Sequence, residues 1–249
     1  MTAPSLSVVV PAYNEARRLP ASLARVRAYL RGRGREYEIV VVDDGSSDTT
    51  SQVARDAGAD VRVLRHEPNR GKGYAVRRGM LAATGARRLI TDADLSTPIE
   101  ELAKLEAEIE RGFDVAIGSR AVAGALIEVH QPAYREVMGR LFNRLVQALL
   151  LPGLRDTQCG FKLFTDRAAQ AAFSVSSLDG FSFDVEALYV AGHRGLRIAE
   201  VPVTWRNDAA TRVGLGGGAA AFADLVRIRL RARRGAYGAP GGTAGGPPT

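Results

Sequence analysis

Thr91-Asp92-Ala93-Asp94-Leu95-Ser96 sets two carboxylates one residue apart where an apolar run ends. Neighbouring anions repel, and burial raises the cost of keeping both charged. A hard divalent cation relieves this. Mg2+ or Mn2+ takes one or two carboxylates and fills its remaining positions with water and phosphate oxygens. The same residues also suit a solvated turn ahead of a helix, so the pair gains meaning only from its surroundings. A second acidic cluster, Asp43-Asp44-Gly45-Ser46-Ser47-Asp48, closes the apolar run Val40–Val42. An acid at such a strand end can accept hydrogen bonds from a ribose or base, although Asp-Gly-Ser is also turn chemistry. Pro11-Ala12-Tyr13-Asn14-Glu15 is the third cluster. It offers Tyr13 for stacking on a base and Glu15 for polar base or sugar atoms, or simply a loop into the next helix. Asn69-Arg70-Gly71-Lys72-Gly73 is a flexible basic stretch before a helical pattern, a place where anions are expected to gather. Its spacing is not that of a Walker loop, and no Gly-x-Gly-x-x-Gly follows the first strand.

These clusters need elements to bring them together. Leu6–Val10, Ile39–Val42, Val61–Leu64, Leu89–Thr91 and Val115–Ile117 read as strands, the first two almost wholly apolar as in a sheet covered on both faces. Helical patterns run over Leu19–Leu30, Thr49–Ala57, Gly73–Ala83 and Ile99–Arg111. Asp48 and Thr97 suit N-caps, and Pro98 suits a first helical position. Strand-helix alternation predicts a mostly parallel α/β sheet. Three clusters at three strand ends then share the carboxyl edge, where open α/β sheets bind ligands. Later in the chain, Ala133–Leu151 predicts a helix with a basic face (Arg135, Arg140, Arg144) opposite an apolar one (Val137, Leu141, Leu145, Leu149). Phe161–Phe164 and Ile198–Val203 read as extended runs, and Phe183–Ala191 and Ala219–Arg234 as helices.

The chain has 249 residues, with 34 Lys and Arg against 27 Asp and Glu, a formal net charge of +7. That sign fits an anionic membrane, phosphorylated small molecules or nucleic acid. Nucleic acid is not expected, because no zinc-finger or aromatic RNA-binding signature is present. No signal-like segment precedes the first strand, and no apolar run nears the roughly 20 residues of a membrane span. Any membrane contact is therefore expected to be peripheral, on the inner face, with the protein cytoplasmic. The single cysteine, Cys159, excludes an intrachain disulfide and reads as a buried small residue. His66, His130 and His193 show no metal-ligand spacing, and Trp205 reads as core or pocket wall.

Taken in order and separation, Ser7–Glu15, Val41–Ser46, Asn69–Gly79, Asp92–Asp94 and Gly118-Ser119-Arg120 resemble the family 2 glycosyltransferases of GT-A fold. Arg155–Phe164, Phe181–Tyr189, Glu200–Trp205 and Ile228–Arg231 narrow the resemblance to the dolichyl-phosphate sugar transferases, nearer the glucosyl than the mannosyl branch. It covers nearly the whole chain, up to Tyr237. It implies an α/β GT-A domain over residues 1–237, with a nucleotide-sugar-binding half (1–120) and a smaller acceptor-side half (121–237). Residues 238–249, rich in Gly and Pro, are expected to be a disordered tail.

The resemblance also implies inverting, metal-dependent transfer of a hexose, glucose favoured, to a polyprenyl phosphate. The donor would be UDP-glucose, with GDP-mannose as the alternative. Pro11, Tyr13, Glu15 and Asp43 would then hold the nucleotide, beside Lys72 and Ala93. Asp92 and Asp94 would handle Mg2+ or Mn2+ and the diphosphate, with Ser96 near a third metal position. Arg120 and Arg135 would face donor or acceptor phosphates. A phosphate acceptor is largely anionic near neutral pH and needs little help from a base. Arginine forks suit its oxygens, which makes Arg120, Arg135, Lys162, Arg206 and Arg212 candidates. Were the acceptor a hydroxyl, Asp184 would be the base; otherwise it orders a loop or pairs with an arginine. Two other classes remain as rivals. A sugar nucleotidyltransferase would favour a Gly-rich loop where this chain has Pro11–Glu15, and a non-catalytic scaffold would have no use for Asp92 and Asp94.

Overall fold

The structure, a computed structural model, describes residues 4–207 and 217–238. In chain order the elements are β1 (Leu6–Ala12), α1 (Leu19–Gly32), β2 (Tyr37–Asp44), α2 (Thr50–Asp56), β3 (Val61–His66), α3 (Lys72–Ala82), β4 (Arg87–Ile90), α4 (Leu102–Glu110), β5 (Val115–Ser119), β6 (Leu126–Val129), α5 (Ala133–Leu149), β7 (Lys162–Thr165), α6 (Asp166–Phe173), α7 (Phe183–His193), β8 (Ile198–Pro202), β9 (Thr204–Arg206) and α8 (Gly217–Arg233). The apolar runs of β1 and β2 are buried on both faces because successive side chains point opposite ways. Val9, Val40 and Val42 join one core with residues of α3, α5, α6, α7 and α8. Val8, Val10, Ile39 and Val41 join the other with residues of α1, α2 and α4. The result is three layers, helix on sheet on helix, as the alternation predicts.

The seven-stranded sheet runs β3-β2-β1-β4-β7-β5-β8, and β6 pairs with β9 in a second, small sheet. β1 pairs in parallel with both β2 and β4. The chain therefore winds one way from β1 to β3 and returns to the other side at β4. A crevice opens at such a reversal, outside the strands' carboxyl ends. β7 is the exception in direction, antiparallel to β4 and β5. Its start, not its end, lies at the carboxyl edge, which carries the segment before it to the same place as Asp92–Asp94.

Several boundaries differ from expectation. The helix expected at Ile99 opens as a tight 3-10 turn, Ile99–Glu101, preceded by Pro98. Thr97 does not cap it; its hydroxyl lies 3.7 Å from the Cys159 sulfur. Nor is Asp48 the N-cap of α2: that position is Thr49, without a side-chain cap, and Asp48, one residue earlier, accepts the Thr50 amide at 2.9 Å. β6, β9 and α6 were not expected. The run expected over Ile198–Val203 breaks at Val203, where the chain leaves β5 and pairs with β6. α7 is mostly apolar and is buried from Phe183 to Ala191, Asp184 and Glu186 included, as a helix enclosed by the core should be. No helix among the described residues is long and apolar enough to cross a membrane. The expected tail, Gly238 apart, lies outside the described residues.

Candidate active site

The loop after β4 is held in an unusual shape. Leu95 adopts φ +49°, a left-handed conformation that costs a bulky residue free energy and persists only where its surroundings impose it. Here the Leu95 amide returns to the Asp92 carbonyl at 3.1 Å, and the Ser96 amide donates to Asp94 Oδ1 at 2.9 Å. Ala93 is buried between the two acids. Burial, and then the charge of Asp92, push the Asp94 carboxyl above its ordinary range. Asp92 accepts from Lys72 Nζ at 2.5 Å. On its far side stands Gly160, where any Cβ would collide with the Asp92 carboxylate. That close approach explains why the segment entering β7 carries glycine there.

The loops after β1 and β2 are laced together. Asn14, at φ +54°, takes the Ser47 amide on its side-chain oxygen at 2.9 Å, while its own amide donates to the Ser46 hydroxyl at 2.9 Å. Tyr13 stands 43% exposed at this rim, free to lie against a flat ligand. Pro11 is buried in β1. Glu15 is clasped by Arg18. Asp43 is fully buried and holds the Ser46 amide, the Ser51 hydroxyl and Arg65. Burial alone would raise its pKa, but these donors lower it below the usual carboxylate range.

The basic loop is not the open anion cradle that its composition suggests. The Arg70 and Gly71 amides donate to the Asp44 carboxylate at 2.7 and 2.9 Å. The Gly73 and Tyr74 amides donate to the Asp179 carbonyl. The Arg70, Gly71, Gly73 and Tyr74 amides are thus engaged within the protein, and the Lys72 side chain is what the loop presents to the site.

The cations of the second half divide sharply. Arg120 grips Asp156 with Nε at 2.7 Å and Nη2 at 2.9 Å, and lies 5.2 Å from the Trp205 ring. Glu200 accepts the Arg155 and Asp156 amides at 2.9 and 2.7 Å and fixes this corner. The Arg120 side chain keeps 25% of its surface open. Lys162, by contrast, is buried, with Nζ on Asp184 at 2.6 Å and on the Cys159 carbonyl. It does not reach outward as an acceptor-binding cation would, because the core holds its countercharge. Asp184 is equally enclosed; burial pushes its pKa up and Lys162 only partly offsets that. Arg206 is exposed, pairs with Glu128 and donates its amide to the Ser96 carbonyl at 2.8 Å. The Arg135 side chain and the whole of Arg212 lie outside the described residues.

Comparison with known sequences decides what this edge belongs to. Residues 7–173 match the family described as Glycosyl transferase family 2. The chain belongs to glycosyltransferase family 2. It is 39% identical to the dolichyl-phosphate beta-glucosyltransferase of Homo sapiens, an alignment that takes in 93% of this chain and 77% of the relative. Identity to the Saccharomyces cerevisiae protein of the same name is 34%, over 93% and 76%. Among solved structures, mannosyl-3-phosphoglycerate synthase from Rubrobacter xylanophilus superposes with a TM-score of 0.73 at 20% identity, over 93% of this chain and 75% of that one. Glucosyl-3-phosphoglycerate synthase from Mycobacterium tuberculosis, in complex with Mn2+, UDP-glucose and phosphoglyceric acid, gives 0.66 at 20%, over 93% and 80%. These two establish the shared GT-A fold.

Within this glycosyltransferase, residues that the sequence reading passed over do much of the positioning. Asp44 anchors the basic loop, Asp156 orients Arg120, Gly160 admits Asp92 and Asp179 closes the start of α3. Asp44, Asp156 and Gly160 all stand inside the segments that carried the resemblance, so a partner for each was worth seeking there. Asp179 had no such signal.

Proposed function

We propose that this transferase moves glucose from UDP-glucose to a polyprenyl phosphate of the dolichyl type. It does so by one displacement that inverts the anomeric centre, while lying peripherally on the cytoplasmic face of a membrane. An oxygen of the acceptor phosphate forms the bond to the anomeric carbon as the bond to the UDP oxygen breaks, and the electron pair leaves with UDP. The observation that carries the acceptor class is Asp184. The carboxylate best placed in sequence to serve a hydroxyl acceptor is buried and held by Lys162 at 2.6 Å. A phosphate acceptor needs no such base, and the relatives named above point to the same class.

The acid pair fits a divalent cation. Asp94 is half-buried, and desolvation and then Asp92 push its carboxyl upward, so positive charge is what this pair requires. Among the described residues no third His, Cys, Asp or Glu completes a protein-only site, which suits a cation that also takes phosphate oxygens. Asp92 and Asp94 would hold it, with Ser96 bracing Asp94 through its amide. When bound, Mg2+ or Mn2+ supplies charge to offset that developing on the leaving diphosphate. Pro11, Tyr13, Glu15, Asp43 and Ala93 line the nucleotide's place, Lys72 faces the diphosphate, and Arg120 orients the acceptor phosphate with Arg206; Arg135 and Arg212 remain candidates for the same role from the sequence. Lys162 serves from beneath, fixing the wall that Asp184 shares.

The test pairs UDP-glucose and GDP-mannose in turn with a short polyprenyl phosphate and with the matching polyprenol, with and without chelator. Glucosyl phosphate product from UDP-glucose alone, abolished by chelation, is expected. Transfer to the free alcohol at a comparable rate would overturn the acceptor class, and transfer indifferent to chelation would overturn the metal.

A further inference from the structure

Lys72 occupies a contradictory place: it faces the donor, yet its ammonium is already joined to Asp92 at 2.5 Å. The loop that carries it cannot swing away as a unit. Arg70 and Gly71 are tied to Asp44, and Gly73 and Tyr74 to the Asp179 carbonyl. Gly71, at φ +102°, is packed so closely on that carbonyl that a Cβ would lie 2.5 Å from it. The side chain is the part able to move, and both it and Asp92 are open to the site, at 25% and 31% of their surface. A divalent cation and an ammonium repel each other on one carboxylate. A lysine ammonium, charged near neutral pH, must find another anion when it is displaced from Asp92. Asp184 is already held by Lys162. The diphosphate of a nucleotide is the unclaimed alternative.

We propose that Lys72 is a displaceable internal counter-ion that neutralises Asp92 until a divalent cation takes that carboxylate, then transfers to the diphosphate, coupling cation and nucleotide binding. The inference rests on the reading of Asp92 and Asp94 as the cation's carboxylates. Without nucleotide, the cation must expel Lys72 from Asp92 while Asp184, another acid near it among the described residues, is held by Lys162. With nucleotide, the expelled ammonium gains the diphosphate. Each ligand therefore strengthens the other, by the same factor in both directions.

Mn2+ binding, followed by electron paramagnetic resonance of the free ion with no acceptor present, tests this in the wild type and in Lys72→Met, with and without UDP. UDP should tighten Mn2+ binding to the wild type by about tenfold or more, within the range usual for linked sites. Lys72→Met should bind Mn2+ more tightly than the wild type when UDP is absent, and should lose the share of the coupling that Lys72 supplies, keeping the share from the cation's own bonds to the diphosphate; Lys72→Arg should keep both. A second measurement needs no variant. Acetylation of Lys72 in the wild type should rise when Mn2+ alone is added and fall when UDP follows. Equal coupling in wild type and Lys72→Met, or Lys72 labelling unmoved by bound Mn2+, overturns the counter-ion role and leaves the metal site standing. Failure of the wild type to bind Mn2+ even with UDP overturns the metal site, and this inference with it.

Discussion

Asp94 shows at the scale of one residue how a site can cost stability. Burial first, and Asp92 second, raise its pKa. A carboxyl whose folded pKa is raised binds its proton more tightly when folded, so stability falls as pH rises through that value. Without metal, the penalty grows with pH until the folded value has been passed. Asp94→Asn removes the charge and keeps an oxygen for the Ser96 amide. We expect the metal-free variant to melt higher than the wild type, by about 2–4 °C for each kcal/mol relieved. Transfer should fall by about a hundredfold or more, the scale of losing one charge-stabilising group. Calorimetry and a transfer assay check both; a lower melting point with full activity would remove Asp94 from the mechanism. Gly160→Ala is the steric counterpart, since its Cβ would collide with Asp92. It should destabilise by about 1–3 kcal/mol, as overpacking does, and weaken Mn2+ binding in the presence of UDP. At this scale the sequence is legible for acids at strand ends and opaque for pairing. Lys162 reads as an acceptor-binding cation and Asp184 as a base or the partner of an arginine, yet the two pair with each other 22 residues apart, and no local pattern marks such a partnership.

Between elements, the corner where β5, β8 and the approach to β7 meet depends on one buried ion pair. Asp156 is 1% exposed and accepts Arg120 through two guanidinium nitrogens and its amide. Burial alone would raise its pKa, but the charge and hydrogen bonds of Arg120 lower it instead. A depressed carboxyl stabilises the fold above its unfolded pKa, and that stability is lost as pH falls through the folded value. Asp43 behaves likewise at the end of β2. Urea unfolding should therefore show stability steady near neutral pH and falling below pH about 4, the unfolded range of aspartate. Asp156→Ala should cost about 3 kcal/mol at neutral pH by leaving Arg120 without its partner, and should flatten that acid slope. An unchanged slope would mean that the pair does not carry the acid response. Elements were legible where burial was complete: β1, β2 and β5 are apolar because both faces are covered. β6 escaped because its side chains are mostly exposed and carry no alternation. α6 escaped because the small residues Ala168, Ala169 and Ala172 fill much of its buried face, and alanine writes a faint pattern.

Across the whole molecule, charge and apolar surface meet on the layer formed by α5 and α8. These helices touch through Phe142 and Phe222, whose rings pack edge to face 5.7 Å apart. Outside that contact α5 exposes Val137, Met138, Leu141 and Leu149, and α8 exposes Val226 and Leu230. Arg140, Arg144, Arg227, Arg229 and Arg233 are exposed on the same two helices. Exposed apolar side chains and arginines on the same pair of helices suit the boundary of an anionic bilayer, where the apolar groups enter and the cations stay with the headgroups. Such a seat would also bring the protein to an acceptor whose hydrocarbon chain cannot leave the bilayer. The electrostatic share of the binding is worth about 1 kcal/mol per arginine near the surface, or about a fivefold change in affinity. Arg227→Gln with Arg229→Gln should therefore weaken binding to anionic vesicles by about twenty-five-fold if the two act independently. Val137→Glu with Leu141→Glu should weaken it further at high salt, where the apolar share is what remains. Cosedimentation with vesicles of stated anionic content, repeated across a salt series, separates the two contributions. Equal pelleting with neutral vesicles at high salt, unaffected by either pair of substitutions, would move the membrane contact away from these helices.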